Sequence, residues 1–308
     1  MSPEPETTTI EPSSGTPGDP QSTLAHVRTE LEAGRPLAGS LASAFYRAVH
    51  ALDPTATEDV LAALPGNGGA HIYDSLVSWA PVGPGETVAD VGCGSGGATR
   101  SAAKAVGPAG RVIGIDPSPE ALAVARVRTP RDLPVTYVQG VGERLSMLAD
   151  RSADCAVASM VLEQATSLGG LLAEVSRVLR PGGRLVASVM AFDRLRPLDA
   201  GLMGSVMAVV ARRAPGALRG RASRASIPHE PADGAAFTQA NLLVPEERDL
   251  QLAVMMETVD EAWALFSRTY TYHMLDEDGR DDLRRALERR MPHTLYLPVR
   301  FLRTRRPG

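Results

Sequence analysis

Between residues 85 and 190 the chain alternates two hydrophobic periods. Short unbroken apolar runs at 87–91, 111–115, 135–139, 154–160 and 184–190 are separated by stretches with apolar residues three and four apart, at about 96–106, from PSPEALAVARV onward, and at 168–179. An unbroken run suits a strand buried on both faces, and the longer spacing suits a helix with one apolar stripe. The alternation predicts an α/β fold, a doubly wound, Rossmann-like, mainly parallel sheet with helices on both faces. Before it, LAGSLASAFYRAVHAL (37–52) and HIYDSLVSWA (71–80) make 21–80 a helical N-terminal cap. After Met190 the alternation stops. A predicted helix at 198–213 and an Arg- and Pro-rich loop mark 193–235 as an insertion after the fifth strand, expected over the mouth of the sheet and covering a substrate. A strand near 249–257, helices at 259–267 and 278–290, and a last strand in TLYLPVRFL bring the sheet to seven strands, so that 81–308 forms one domain. Residues 1–20 are rich in Pro, Thr, Ser and Glu and read as a disordered tail, with too little apolar content to offset the entropy of ordering.

Composition narrows the class. At 308 residues and 44% apolar content the chain can fill a large core. The net charge of -4 hides an uneven distribution: residues 1–20 hold four carboxylates and no basic side chain, while 280–308 hold nine Arg against three acids. A solvated helix face accounts for that basic stretch. The aromatic content of 4% and the single lysine, Lys104, argue against a nucleic-acid surface of clustered cations and stacking rings. No apolar stretch reaches membrane-spanning length and the N-terminus lacks a secretory pattern, so the expectation is a cytoplasmic protein without membrane attachment. Cys93 and Cys155 fit no metal spacing, and in the expected sheet they lie too far apart for a disulfide. Oligomeric state is left open, a homodimer included.

The stretch VADVGCGSGGATR (88–100) runs an apolar strand into a glycine cluster and then into a helix. Gly92, Gly94 and Gly96 permit a tight turn and let a ligand lie on bare main chain, beside the free amides of the helix start. Asp116, at the end of the next strand in VIGIDPSPEAL, stands where a carboxylate accepts the hydroxyl protons of a ribose. Together these residues point to a ribose-bearing nucleoside.

VADVGCGSGG, GIDPSPEAL and LLAEVSRVLRPGGRLVASV, in this order, resemble motifs of class I S-adenosylmethionine-dependent methyltransferases of the small-molecule type, across residues 68–190. The resemblance implies S-adenosylmethionine as cofactor and S-adenosylhomocysteine as product. It implies that Asp90 faces the amino-acid end of the cofactor, that Gly92, Cys93, Gly94 and Gly96 pack against its methionine and ribose parts, that Asp116 and Pro117 hold the ribose side, and that Ser159 closes the fourth strand beside the sulfonium. Where the family often carries an acid that meets the adenine amine, this chain has GVGERL. Val141 takes the acid's place, Gly142 and Glu143 follow, and backbone or Glu143 must replace the missing acceptor.

Methyl transfer needs a general base only when the acceptor holds its proton. Two candidates are His71, ahead of the helix leading into the first strand, and Glu163, just past Ser159. His50 and Tyr46 lie on an apolar helical face and read as packing residues, and His229 falls in the insertion. SMVLEQ follows the fourth strand in place of the Asn/Asp-Pro-Pro-aromatic turn of base methylases, which again disfavours nucleic acid. The resulting expectation is methyl transfer to a small organic acceptor in specialised metabolism. The alternative is a methyltransferase-fold cyclase, or another non-methylating enzyme, that retains the cofactor site.

Overall fold

The computed structural model describes residues 19–62, 64, 71–224 and 234–308. The expected tail lies, but for its last two residues, outside the described residues, as does His229. Seven strands form one sheet: β1 (Thr87–Val91), β2 (Arg111–Asp116), β3 (Val135–Gln139), β4 (Ala153–Ser159), β5 (Leu179–Met190), β6 (Glu246–Met256) and β7 (His293–Arg305). Their order is β3-β2-β1-β4-β5-β7-β6; the first five are parallel, and β7 runs antiparallel between β5 and β6. The expected seven-stranded, mainly parallel Rossmann-like sheet is what the chain forms. Strand order reverses between β1 and β4, which opens a crevice at the carboxyl ends of those two strands.

The helices are α1 (Pro20–Glu32), α2 (Gly39–Leu52), α3 (Ala56–Ala62), α4 (Ile72–Trp79), α5 (Gly97–Val106), α6 (Pro119–Arg128), α7 (Leu168–Val178), α8 (Pro197–Arg213), α9 (Pro215–Arg224), α10 (Gly234–Gln239), α11 (Val259–Phe266), α12 (Tyr270–His273) and α13 (Glu277–Glu288). Local chemistry sets many of their starts. Asp19 accepts the Ser22 amide at 2.9 Å ahead of Pro20, Ser118 caps α6 ahead of Pro119, and Thr258 and Glu261 form a reciprocal capping box on α11. The Arg- and Pro-rich segment expected as a loop holds α9. Pro215 is its first residue, where the missing amide hydrogen costs no helical bond.

Two apolar layers sandwich the sheet. On one face, Ile72, Leu76 and Val77 of α4 and Ala98, Ala102 and Val106 of α5 cover Val88, Val112 and Val157; on the other, Leu171, Leu172 and Val175 of α7 cover Val91, Ile115 and Ala156. A third cluster joins Leu24, Val27 and Leu31 of α1, Phe45 and Val49 of α2, Leu202, Val206 and Val209 of α8, and Leu283 and Leu287 of α13. The N-terminal cap and the 193–235 insertion therefore share a core, and α2 is the part of it that reaches the sheet's mouth.

Candidate functional site

A cavity of about 590 Å³ opens at the crevice, within the range of small-molecule sites. Its floor is the turn after β1. Gly92, Gly94 and Gly96 have φ of 69°, 53° and 93°, a region that costs an ordinary L-residue about 1 kcal/mol or more. The amides of Gly92 and Cys93 both donate to the Ile115 carbonyl, at 2.7 and 3.0 Å, which ties the turn to β2. A Cβ on Gly94 would meet nothing within 4 Å, so its bare main chain faces open cavity. On Gly92 it would strike the side chain of Val161. Gly96 differs from the expectation: it does not line the cavity, and a Cβ there would meet the Tyr137 hydroxyl and Arg100. Its glycine serves the packing behind the turn.

Asp116 is buried at 6% exposure and accepts two amides, Gly94 N–H at 2.8 Å and Ser118 N–H at 2.9 Å, one on each carboxylate oxygen. Burial pushes its pKa up, while those amides and the nearby His50 pull it back. Each oxygen keeps further acceptor capacity. Asp90 lies deeper. Its Oδ2 accepts the Thr99 hydroxyl at 2.5 Å, and its buried Oδ1 has no hydrogen-bond partner among the described residues. Burial raises its pKa to about 7, against the Thr99 hydrogen bond. A buried carboxylate oxygen without a donor is costly, and an incoming ammonium relieves that cost. Cavity volume, open glycine, ribose-type carboxylate and orphan acceptor together fit an adenosyl amino acid.

Of the other expected cofactor residues, Cys93, Pro117, Gly142, Glu143 and Ser159 all line the cavity. Ser159 shares a hydrogen bond of 2.9 Å with Ser188 on β5. Glu143 is engaged elsewhere: its Oε1 accepts the Thr166 amide at 2.7 Å, the Thr166 hydroxyl at 2.8 Å and the Ser167 amide at 3.4 Å, anchoring the loop into α7. Val141 lines the cavity with an exposed side chain.

The expected bases are placed differently. His71 caps α4, accepting the Tyr73 amide at 3.4 Å and lying against the Tyr73 ring, and it does not line the cavity. Glu163 sits in the short 3-10 turn Leu162–Gln164 and does not line it either. The side chains that do reach it are His50 and Tyr46 of α2, Tyr270 of α12 and Gln164. His50 Nε2 and the Tyr270 hydroxyl are 2.8 Å apart, that hydroxyl donates to Gln164 Oε1 at 3.4 Å, and the Gln164 amide donates to the Met160 carbonyl at 2.7 Å. Burial lowers the His50 pKa, opposed by Asp116 and Asp53, and so favours the neutral ring. The apolar helical spacing around His50 and Tyr46 hid this role, because α2 buries one stripe and turns the next toward the cavity. No described residue of 193–235 lines the cavity, so the cap and Tyr270 form the wall expected of the insertion.

The cap is fastened to the glycine turn by Glu58 of α3, which accepts the Ser95 hydroxyl at 2.5 Å and pairs with Arg100. Arg100 also donates to the Ser95 carbonyl at 2.8 Å. No group of described His, Cys, Asp and Glu residues could hold a metal ion, and no described helix is long and apolar enough to cross a membrane.

Residues 89–187 match a family described as a methyltransferase domain. The arsenite methyltransferase of Halobacterium salinarum is 36% identical over 112 residues, which is 36% of this chain and 29% of that protein. The demethylmenaquinone methyltransferase of Tropheryma whipplei is 36% identical over 125 residues, 41% of this chain and 50% of that protein. The chain thus spans half or less of the length of these relatives. Among solved structures, the cyclase SpnF aligns with a TM-score of 0.52 at 16% identity, covering 89% of this chain and 97% of that one. That likeness is one of fold.

Proposed function

We propose that the chain, whose residues 89–187 match a methyltransferase domain, is a class I S-adenosylmethionine-dependent methyltransferase that methylates a small organic acceptor, forming S-adenosylhomocysteine. The observation that carries the proposal is the pairing of Asp116, held by the Gly94 amide, with the buried orphan oxygen of Asp90 across one turn. Bound there, S-adenosylmethionine supplies an activated methyl group on a sulfonium, open to in-line attack.

In this reading the protein binds, orients and excludes water. Asp116 and the Gly94 main chain receive the ribose side, Asp90 receives the amino-acid end, and Ser159, Gly142 and Pro117 shape the walls. The cap places Tyr46 and His50, and α12 places Tyr270, on the acceptor side, where apolar ring faces shield the reacting atoms. With its hydroxyl hydrogen turned from Gln164 Oε1 to His50 Nε2, Tyr270 can hand that proton to the neutral ring while its oxygen takes one from a hydroxyl or carbon acid. That role moves from His71 and Glu163 to residues that line the cavity. A place in specialised metabolism belongs to the same proposal, and rests on the resemblance to small-molecule methyltransferases.

The test is to incubate the purified chain with S-adenosylmethionine and a panel of small phenols, carboxylates and amines, and to quantify S-adenosylhomocysteine. Release that depends on the acceptor supports methyl transfer. Product formation without release favours the cyclase-type alternative, for which Val141 in place of an acid is the specific argument. In a parallel titration, Asp116→Ala that binds the cofactor as tightly as the native chain would overturn the assignment of the site.

A further inference from the structure

The loop after β3 brings two apolar side chains to one end of the cavity, one of them at the position where a carboxylate was expected. Val141 and Met147 both line it, with 46% and 36% of their surfaces exposed. Four carboxylates line the whole cavity. Glu58 is held by Ser95 and Arg100, Asp90 by Thr99 with its free oxygen deep beside the glycine turn, and Asp116 by two backbone amides. Glu143 is drawn toward α7 by three donors of residues 166 and 167 on one oxygen. At position 141 the carbonyl already accepts the Arg144 amide at 3.0 Å. Position 141 therefore presents an apolar side chain, between the polar lining residues Gln139, Arg144 and Ser146, and no side-chain acceptor of its own.

We propose that Val141 makes this site indifferent to the six-position amine of the cofactor's base, so that the cavity takes adenosyl compounds in which that amine is absent or alkylated. The inference rests on the cofactor assignment above. A site that hydrogen-bonds an N–H rejects the analogue lacking it by about 10⁴-fold, because its own polar group is stranded, whereas an apolar wall strands nothing. The exposure of Val141 and Met147 means that a substituent at this edge extends toward solvent rather than into packed core.

The experiment is calorimetric titration of the full chain with S-adenosylhomocysteine, its purine analogue lacking the amine, and its N6-benzyl derivative, repeated on Val141→Asp and Glu143→Gln. The native chain is expected to bind the purine analogue within about threefold and the benzyl derivative within about tenfold of S-adenosylhomocysteine. Val141→Asp is expected to prefer the amine-bearing compound by about tenfold or more, as a charged hydrogen bond would. A native preference of a hundredfold or more for the amine overturns the proposal, and its loss in Glu143→Gln would name Glu143 as the reader. If the native chain binds none of the three compounds, the cofactor assignment fails first and this inference with it. Because the comparison among ligands is made on the native chain, it stands even if Val141→Asp does not fold.

Discussion

The ring of Tyr73 fills the space that a side chain on Gly97 would occupy: a Cβ built on that glycine would lie 2.8 Å from Cδ2 and closer still to Cε2. Gly97 is the first residue of α5 and its φ is not positive, so its need for glycine comes from the approach of α4 and not from backbone strain. Through this contact a helix of the cap region sets the height of the helix that follows the cofactor turn.

Gly97→Ala is therefore expected to lower stability by about 1–3 kcal/mol through overpacking. Pairing it with Tyr73→Leu should return part of that loss, because the two residues share one contact. Denaturant midpoints of the two single variants and the double variant measure the coupling. Strictly additive effects would place the conflict elsewhere.

In the proposed site, Asp90 is expected to make cofactor affinity depend on pH. Its carboxyl has a pKa of about 7 in the folded protein against an ordinary 3.8, so it is largely neutral below pH 7. An ammonium selects the ionised form, and binding must then expel the proton. Affinity for S-adenosylhomocysteine should rise about tenfold per unit from pH 5.5 towards 7 and level off above it. Asp90→Asn should bind weakly, with the slope gone. Titrations in buffers of different ionisation enthalpy count the released proton directly.

His273 contributes a pH dependence of stability, also on the acid side of neutrality. It is buried at 9% exposure, and burial, with Arg280 nearby, lowers its pKa from 6.5 to about 4. As pH falls the unfolded chain takes up the proton first, near 6.5, while the folded chain resists until about 4. Stability is thus complete above 6.5 and drains between 6.5 and 4, by up to about 1.4 kcal/mol per unit. His273→Gln should flatten that part of a plot of unfolding free energy against pH.

Glu58 is expected to govern how fast the cofactor exchanges. Glu58→Gln weakens the tie from α3 to Ser95 and Arg100 across the cavity's rim, by about 1 kcal/mol for a partly screened charged hydrogen bond. Stopped-flow binding of S-adenosylhomocysteine should show association and dissociation both faster by about fivefold, with Kd little changed. A change confined to dissociation would make Glu58 part of the ligand's own contacts.

His50→Gln and Tyr270→Phe should each leave S-adenosylhomocysteine binding intact. Both should slow transfer to a hydroxyl or carbon acceptor by about 10²-fold or more, with the pH–rate profile altered in His50→Gln. Equal losses in binding would make the pair a prop for the cap.

The glycine turn and the carboxylate after β2 were legible because they are local. Gly92, Gly94 and Asp116 act through main-chain geometry that a few adjacent residues dictate, and the buried strands announce themselves as short apolar runs. The wall of His50 and Tyr270 was not legible for the same reason reversed. The two lie 220 residues apart, His50 in a pattern that reads as helix packing and Tyr270 between the expected helices 259–267 and 278–290, until α2 and α12 meet at one cavity. The described part of the insertion is likewise placed by distant packing: the buried residues of α8 join a cluster with α1, α2 and α13 and do not line the cavity. Gly96 shows that one glycine motif can serve two ends, since its neighbours face the cavity while it makes room for Tyr137.

The seam between α2 and α12 has an evolutionary consequence. Residues 89–187, which match the methyltransferase domain, contain none of Tyr46, His50 and Tyr270. Substitutions in the two flanks can therefore reshape that wall while the matched middle keeps its sequence.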